Sequence, residues 1–294
     1  MRYKIILCMI SALAALFACT SDYEVDNEPQ LVVEGWIEHG GHPVVMVSTT
    51  YPVSEKRAQL SDLKDNLVRW AKVSVSCGDT TVMLMGKDDK RYFPPYIYTT
   101  GMLRGYAGNT YRLQVDYMDF HAEAETTIPL PVPLDSVRVL PCSQDTLFQI
   151  RAWFHDNPSE RNYYKFFTSV GNSSLMWLSS YMQTLNDAMF TPGEEIGTTV
   201  YRGRTITNRH RYVPYFTAED TVRVKLAQMD SISFVFWDQL EGNMSFGNFP
   251  LNMARTNPSF NVCGALGYWC GYGSTEWQVV IADSIPIALS RPIP

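Results

Sequence analysis

"NTYRLQVDYMDFHAEAETTIPLP", residues 109–131, decides the fold class. Tyr111, Leu113, Val115 and Tyr117 alternate with Arg112, Gln114 and Asp116; after Met118-Asp119, Phe120, Ala122, Ala124, Thr126 and Ile128 alternate with His121, Glu123, Glu125 and Thr127. A period of two on both arms of a turn is a hairpin with one buried and one wet face. Upstream, "LVVEGWI" (31–37), "HPVVMVSTT" (42–50) and "AKVSVSCGDTTVMLM" (71–85) read as further strands, the last folding back at Gly78-Asp79. Strands at this spacing over about 100 residues make an immunoglobulin-like β-sandwich over 31–128.

Downstream, "PLPVPLDS", 129–136, places three prolines within five residues, which no central strand accepts. It reads as a stiff, extended connector. Beyond it, "SVRVL", "LFQIRAWF", "NYYKFFTSV", "TVRVKLAQM", "SISFVFWDQL" and "EWQVVIA" read as strands, with one short helix near Ser179–Met189. The expectation is mainly β: the sandwich, then a second, larger β-rich domain over 137–294 with little helix. An aromatic content of 13% agrees with strands over helices.

The N-terminus carries a different signal. Arg2 and Lys4 precede an uncharged run from Ile5 to Ala18, of secretory length and too short to span a bilayer. Residues 1–18 therefore read as a signal peptide. Leu16-Phe17-Ala18-Cys19 resembles a bacterial lipobox, in which Cys19 is lipidated and becomes the first mature residue. Residues 19–30, with Asp22, Glu24, Asp26 and Glu28, form an acidic tether. It resembles the export signal that takes Bacteroidota lipoproteins to the exterior of the outer membrane. Losing residues 1–18 removes two cations and no acid, so a net charge of −6 becomes −8. Such a charge does not court nucleic acid, and the acyl chains would be the membrane anchor.

Motifs of common enzyme chemistry are missing from the sequence: His-Glu-x-x-His, Gly-x-Ser-x-Gly, a P-loop and Cys-x-x-Cys. The expectation is no catalysis, no cofactor and no metal. Glu38-His39-Gly40-Gly41-His42 brings two imidazoles near a turn, but no third ligand accompanies them. His155-Asp156 is either an oriented base or the start of a turn; neighbours on a strand point to opposite faces, which favours the turn. Arg202, Arg204, Arg209 and Arg211 form the basic cluster of an acidic chain. They are either a solvated hairpin face or a grip for an anionic ligand or partner. Tyr163, Tyr164, Phe166, Phe167 and Trp177 form an aromatic set of which one side packs a core and the other can stack on a ligand. Cys263 and Cys270, closing "GALGYW", are either a local disulfide or two free thiols. "CGALGYWCGYG", 263–273, lacks dinucleotide-loop spacing and reads as a place where backbone approaches backbone. Asp-Ser/Thr-apolar triplets, among them 220–222 and 230–232, either resemble the O-glycosylation triplet of Bacteroidota exported proteins or read as turns handing over to strands.

Several of these segments together resemble one family. "VVEGWI", "GNTYRLQVDY…AETTIP" followed by "LDSV", "FHDNPSERNYYKF", "ISFVFWDQL" and the late "FPLNM…NVCGALGYWCGY" are similar to the domain-of-unknown-function 4249 family of Bacteroidota surface lipoproteins. A short "lFnG" segment usual in the family is replaced here by Asn186-Asp187-Ala188-Met189-Phe190. The resemblance implies a surface lipoprotein of β-sandwich type, paired with a TonB-dependent outer-membrane receptor in nutrient capture. A pilus-like adhesive subunit is the alternative. A surface hydrolase ranks third, because Asp88, Asp89, Glu194 and Glu195 are not paired by any motif.

Overall fold

A computed structural model describes residues 29–50, 66–142, 146–171, 176–203, 212–246, 258–282 and 291–293. The protein is mainly β, as its periodicity requires. Its first half supplies β1 (Leu31–Glu38), β2 (Val44–Thr49), β3 (Lys72–Cys77), β4 (Thr80–Met83), β5 (Met85–Asp88), β6 (Tyr96–Thr99), β7 (Thr110–Tyr117) and β8 (Phe120–Thr127). The second half supplies β9 (Leu134–Pro141), β10 (Leu147–His155), β11 (Tyr163–Val170), β12 (Leu178–Asn186), β13 (Glu195–Val200), β14 (Phe216–Thr217) and β15 (Thr221–Met229). A helix, α1 (Ser231–Phe246), then precedes β16 (Leu266–Val280) and β17 (Arg291–Ile293).

One large sheet, in the order β12-β11-β15-β16-β1-β2-β6-β5 with β17 beside β16, backs two four-stranded sheets. The sheet β4-β3-β7-β8 closes the first core, where Val33, Ile37, Val45 and Trp269 meet Val75, Leu113, Val115 and Ala122. The β7-β8 hairpin has the expected register, with Tyr117 opposite Phe120 across the turn. A second small sheet around β10 closes the other core, where Tyr164, Phe166, Val224 and Val279 meet Val139, Ile150, Phe154 and Phe216. The molecule is thus two sandwiches side by side on one shared sheet.

The strand that joins them is β16. Its residues 266–272 run parallel to β1, and residues 273–280 run antiparallel to β15. Trp269 on this strand is fully buried in the first core, its indole N–H donating to the Tyr111 carbonyl at 2.9 Å. The glycines answer the close approach read from sequence. Gly267 has φ +119°, and a Cβ there would lie 1.8 Å from the Val33 carbonyl oxygen; one at Gly273 would lie 2.4 Å from that of Pro129. Pro129 to Pro133 is the extended connector, and Leu134 already opens β9.

Two expectations are corrected, and one open alternative is decided. The run 231–240 is helical, because Asp230 caps it by accepting the Ser233 N–H at 2.7 Å, and a helix puts Phe234, Trp237 and Glu241 on one face. That face lies on the outer side of the large sheet: Phe234 stacks on Tyr163 with ring centroids 4.9 Å apart, and Trp237 meets Phe167 edge-on at 5.7 Å. Residues 179–189 are not a helix. They are the end strand β12 and one 3-10 turn at Asp187–Met189, because pairing with β11 satisfies their backbone. Finally, Cys263 and Cys270 are free thiols. Backbone bonds of 3.0 and 2.8 Å hold Cys263 against Glu123 of β8, whereas Cys270 is buried within β16 and packed with Tyr272 and Met229.

Candidate functional site

Alternation along the strands determines what the outer face of the large sheet presents. The residues of β1 at 31, 33, 35 and 37 point into the first core, which turns Trp36 and Glu38 outward. On β15, Val222, Val224 and Leu226 face the second core, which turns Arg223 and Lys225 outward. On β16, Tyr268, Tyr272 and Glu276 share that outer face. The register sets Lys225 directly opposite Glu276 and Glu38 beside Tyr272.

These side chains floor a cleft of about 490 Å³, within the size usual for small-ligand sites. Trp237 of α1, Phe167 of β11 and Trp177 wall it on one side; Lys87 of β5, with Arg91 and Tyr92 in the turn between β5 and β6, forms the opposite rim. The cleft therefore sits where the two sandwiches meet.

Charge on the floor is tightly organised. The Lys225 ammonium donates to both oxygens of Glu38, at 2.8 and 2.7 Å, and lies 3.5 Å from Glu276. The Arg223 guanidinium bonds Glu276 in turn. Trp177 covers both cations, with the Arg223 carbon 4.8 Å and the Lys225 nitrogen 4.2 Å from its ring centroid; a cation on an indole face is attracted by the ring quadrupole. In the same floor, burial raises the Tyr268 and Tyr272 phenols well above their ordinary range, keeping them neutral. Tyr272 accepts the Trp237 indole N–H at 2.9 Å.

Helix α1 is fixed beside the cleft by a buried ion pair. Lys165, fully buried on β11, is bonded to Glu241 of α1, and the Thr184 hydroxyl donates to the other Glu241 oxygen at 2.8 Å. Burial lowers the pKa of Lys165, and the Glu241 charge opposes that shift. The same ammonium lies 5.1 Å from the Trp237 ring centroid, so one interaction orients both the helix and the wall it contributes.

At the rim, Arg91 clasps Asp89 through Nε at 2.8 Å and Nη2 at 2.5 Å. Those hydrogen bonds hold the Asp89 carboxyl down at about 2. Trp36 and Tyr92 pair with centroids 5.9 Å apart.

The residues singled out by sequence are dispersed. Phe167 and Trp177 do line the cleft, whereas Tyr164 and Phe166 pack in the second core and Tyr163 packs under α1. Arg202 is tied to Asp220 at 3.2 Å, serving the turn into β15; Arg204, Arg209 and Arg211 lie outside the described residues, as does Cys19. His42 lines the cleft with Nδ1 bonded to the Leu103 carbonyl at 2.7 Å, while His39 accepts the Ala107 N–H at 3.1 Å. His155 pairs with Asp135 at 2.8 Å rather than with its neighbour Asp156, which accepts the Tyr164 hydroxyl. Among the described residues no three His, Cys, Asp or Glu side chains converge to hold a metal ion, and no helix is long and apolar enough to cross a membrane. Arg223, Lys225 and Glu276 carried no motif, Glu38 stood out only beside the histidine turn, and Trp237 only within a segment of the family resemblance. Their available signal was strand alternation that leaves charged residues on a face otherwise rich in aromatics.

The arrangement suits binding: aromatic faces, fixed cations and carboxylate acceptors converge in one partly enclosed space. Comparison with curated proteins gave no match. A family model does match, over residues 19–274: the chain belongs to the family described as "Domain of unknown function (DUF4249)".

Proposed function

We propose that the protein is a lipid-anchored lipoprotein on the exterior of the outer membrane, attached through Cys19, which captures a small ligand without catalysis and works with a TonB-dependent receptor in nutrient uptake. The observation that carries the capture is the cleft, where Trp36, Trp177 and Trp237 surround an ordered Glu38-Lys225-Glu276-Arg223 chain. The anchor and the receptor rest on the lipobox, the acidic tether and the resemblance to surface lipoproteins. The test is a pull-down from gently solubilised outer membranes through a C-terminal tag. Recovery of a TonB-dependent receptor in near-equal amount supports the proposal; recovery of the protein alone, or as its own polymer, contradicts it and favours the adhesive-subunit reading.

A second reading rests on the two carboxylates that share Lys225 in the cleft. Two carboxylates in one cleft are the apparatus of glycoside hydrolysis. Turnover of a glycoside by the wild-type protein, lost in Glu276→Gln, would establish it.

A further inference from the structure

We infer that the cleft takes an acidic sugar, a polyhydroxylated ring bearing a carboxylate. This rests on the reading of the cleft as a ligand site and goes on to specify the chemistry of its occupant.

Three properties of the lining converge on that class. The first is charge. Lys87, Arg91, Arg223 and Lys225 face Glu38 and Glu276, with Asp89 behind the rim cations. Cations outnumber acids here, in a chain whose net charge is −6. A cationic ligand would meet like charge, whereas a carboxylate finds a guanidinium at the rim: Arg91 uses Nε and Nη2 on Asp89, leaving Nη1 for an incoming anion.

The second is hydrogen-bond polarity on the floor. Lys225 directs its donors at Glu38 and Glu276, and a carboxylate offers about four acceptor positions. Both acids retain acceptor capacity toward the cleft, and only donors satisfy it. Hydroxyl groups are such donors. A flat aromatic acid would bring a carboxylate and a stacking face but nothing for Glu38 and Glu276.

The third is the ring surface. Trp36, Tyr92, Trp177 and Trp237 each keep part of their side chain exposed, and all line the cleft. Indole and phenol faces pair an apolar body with a polar tip, the surface that suits the C–H face of a pyranose ringed by hydroxyls. The site thus offers stacking from the walls, acceptors from the floor and a cation at the rim.

The test uses the tryptophans as reporters. The full protein is titrated with a trisaccharide of galacturonic acid, with the same trisaccharide after reduction of each carboxylate to an alcohol, and with benzoate, following intrinsic fluorescence. The expected result is saturable quenching by the acidic trisaccharide at a Kd at least about tenfold below that of the neutral one, with little response to benzoate. Lys87→Gln, an exposed rim change, is expected to narrow the acidic preference, and Trp177→Ala to remove binding of both sugars while the thermal transition persists. Equal affinity for the acidic and neutral sugars would overturn the charged-ligand inference yet leave the cleft a binding site. Response to benzoate alone, or to none of the three, would overturn the sugar class outright. The reading of the cleft as a ligand site is judged separately, by whether protein extracted from membranes carries a bound mass.

Discussion

Burial pushes the Cys270 thiol up to about 12, because the side chain is sealed between β16 and α1. Cys263, seven positions earlier, is exposed. Iodoacetamide on the folded protein should therefore modify Cys263 readily and Cys270 only after denaturation, read by peptide mass spectrometry; a peptide pair joined as a disulfide would contradict this. Asp89 carries the pH dependence of the rim. Its carboxyl is held at about 2 against an ordinary 3.8, chiefly by Arg91 side-chain bonds, so the clasp contributes stability at neutral pH that is lost as pH falls through that window. The cations that hold Asp89 are about half-exposed, so the loss expected is about 0.5 kcal/mol. Urea unfolding from pH 5 to pH 2 should show it, and Asp89→Asn should abolish that increment. An unchanged profile in the variant would count against the clasp. At this scale the sequence was least informative about the cleft: Glu38 and Lys225 are bonded yet 187 positions apart, and nothing local links the two.

Among the elements, β7 and β8 could be read directly because one face is core and the other water, so period two is visible. Helix α1 could not. Ile232, Phe234, Val235 and Phe236 favour strands, and the packing of Phe234 and Trp237 on the outer sheet face overrides that preference. The docking of α1 is testable through its buried pair. Lys165→Met or Glu241→Gln alone strands a buried polar partner and should cost about 3–5 kcal/mol by chemical denaturation. The double change Lys165→Met/Glu241→Leu should recover most of that loss. Additive losses would mean that the two residues do not act as a pair. For β16, Gly267→Ala forces a Cβ into the Val33 carbonyl from a positive φ and should cost roughly 3 kcal/mol or more. A melting temperature within a degree or so of wild type would refute the close approach.

The whole molecule is organised by that one strand. The first core takes Val262 and Trp269 from the C-terminal part of the chain, and β1 takes its parallel partner from β16. A fragment of residues 31–128, though it contains the immunoglobulin-like pattern, should therefore fail to give a cooperative thermal transition, whereas a stable, dispersed NMR spectrum from it would show that the strand is dispensable. The proline connector could be read from sequence as a boundary; the sharing of β16 could not, because a parallel partner more than two hundred residues away leaves no local trace. Sharing the strand also makes the cleft, since Glu38 comes from one half and Lys225 from the other. The most direct test of the central claim is native mass spectrometry of the protein released gently from the membranes of cells that make it, compared with Trp177→Ala. An additional small-molecule mass is expected on the wild type, shed on activation and missing from the variant. A wild-type protein without any bound mass, or the same mass retained in both, would contradict it.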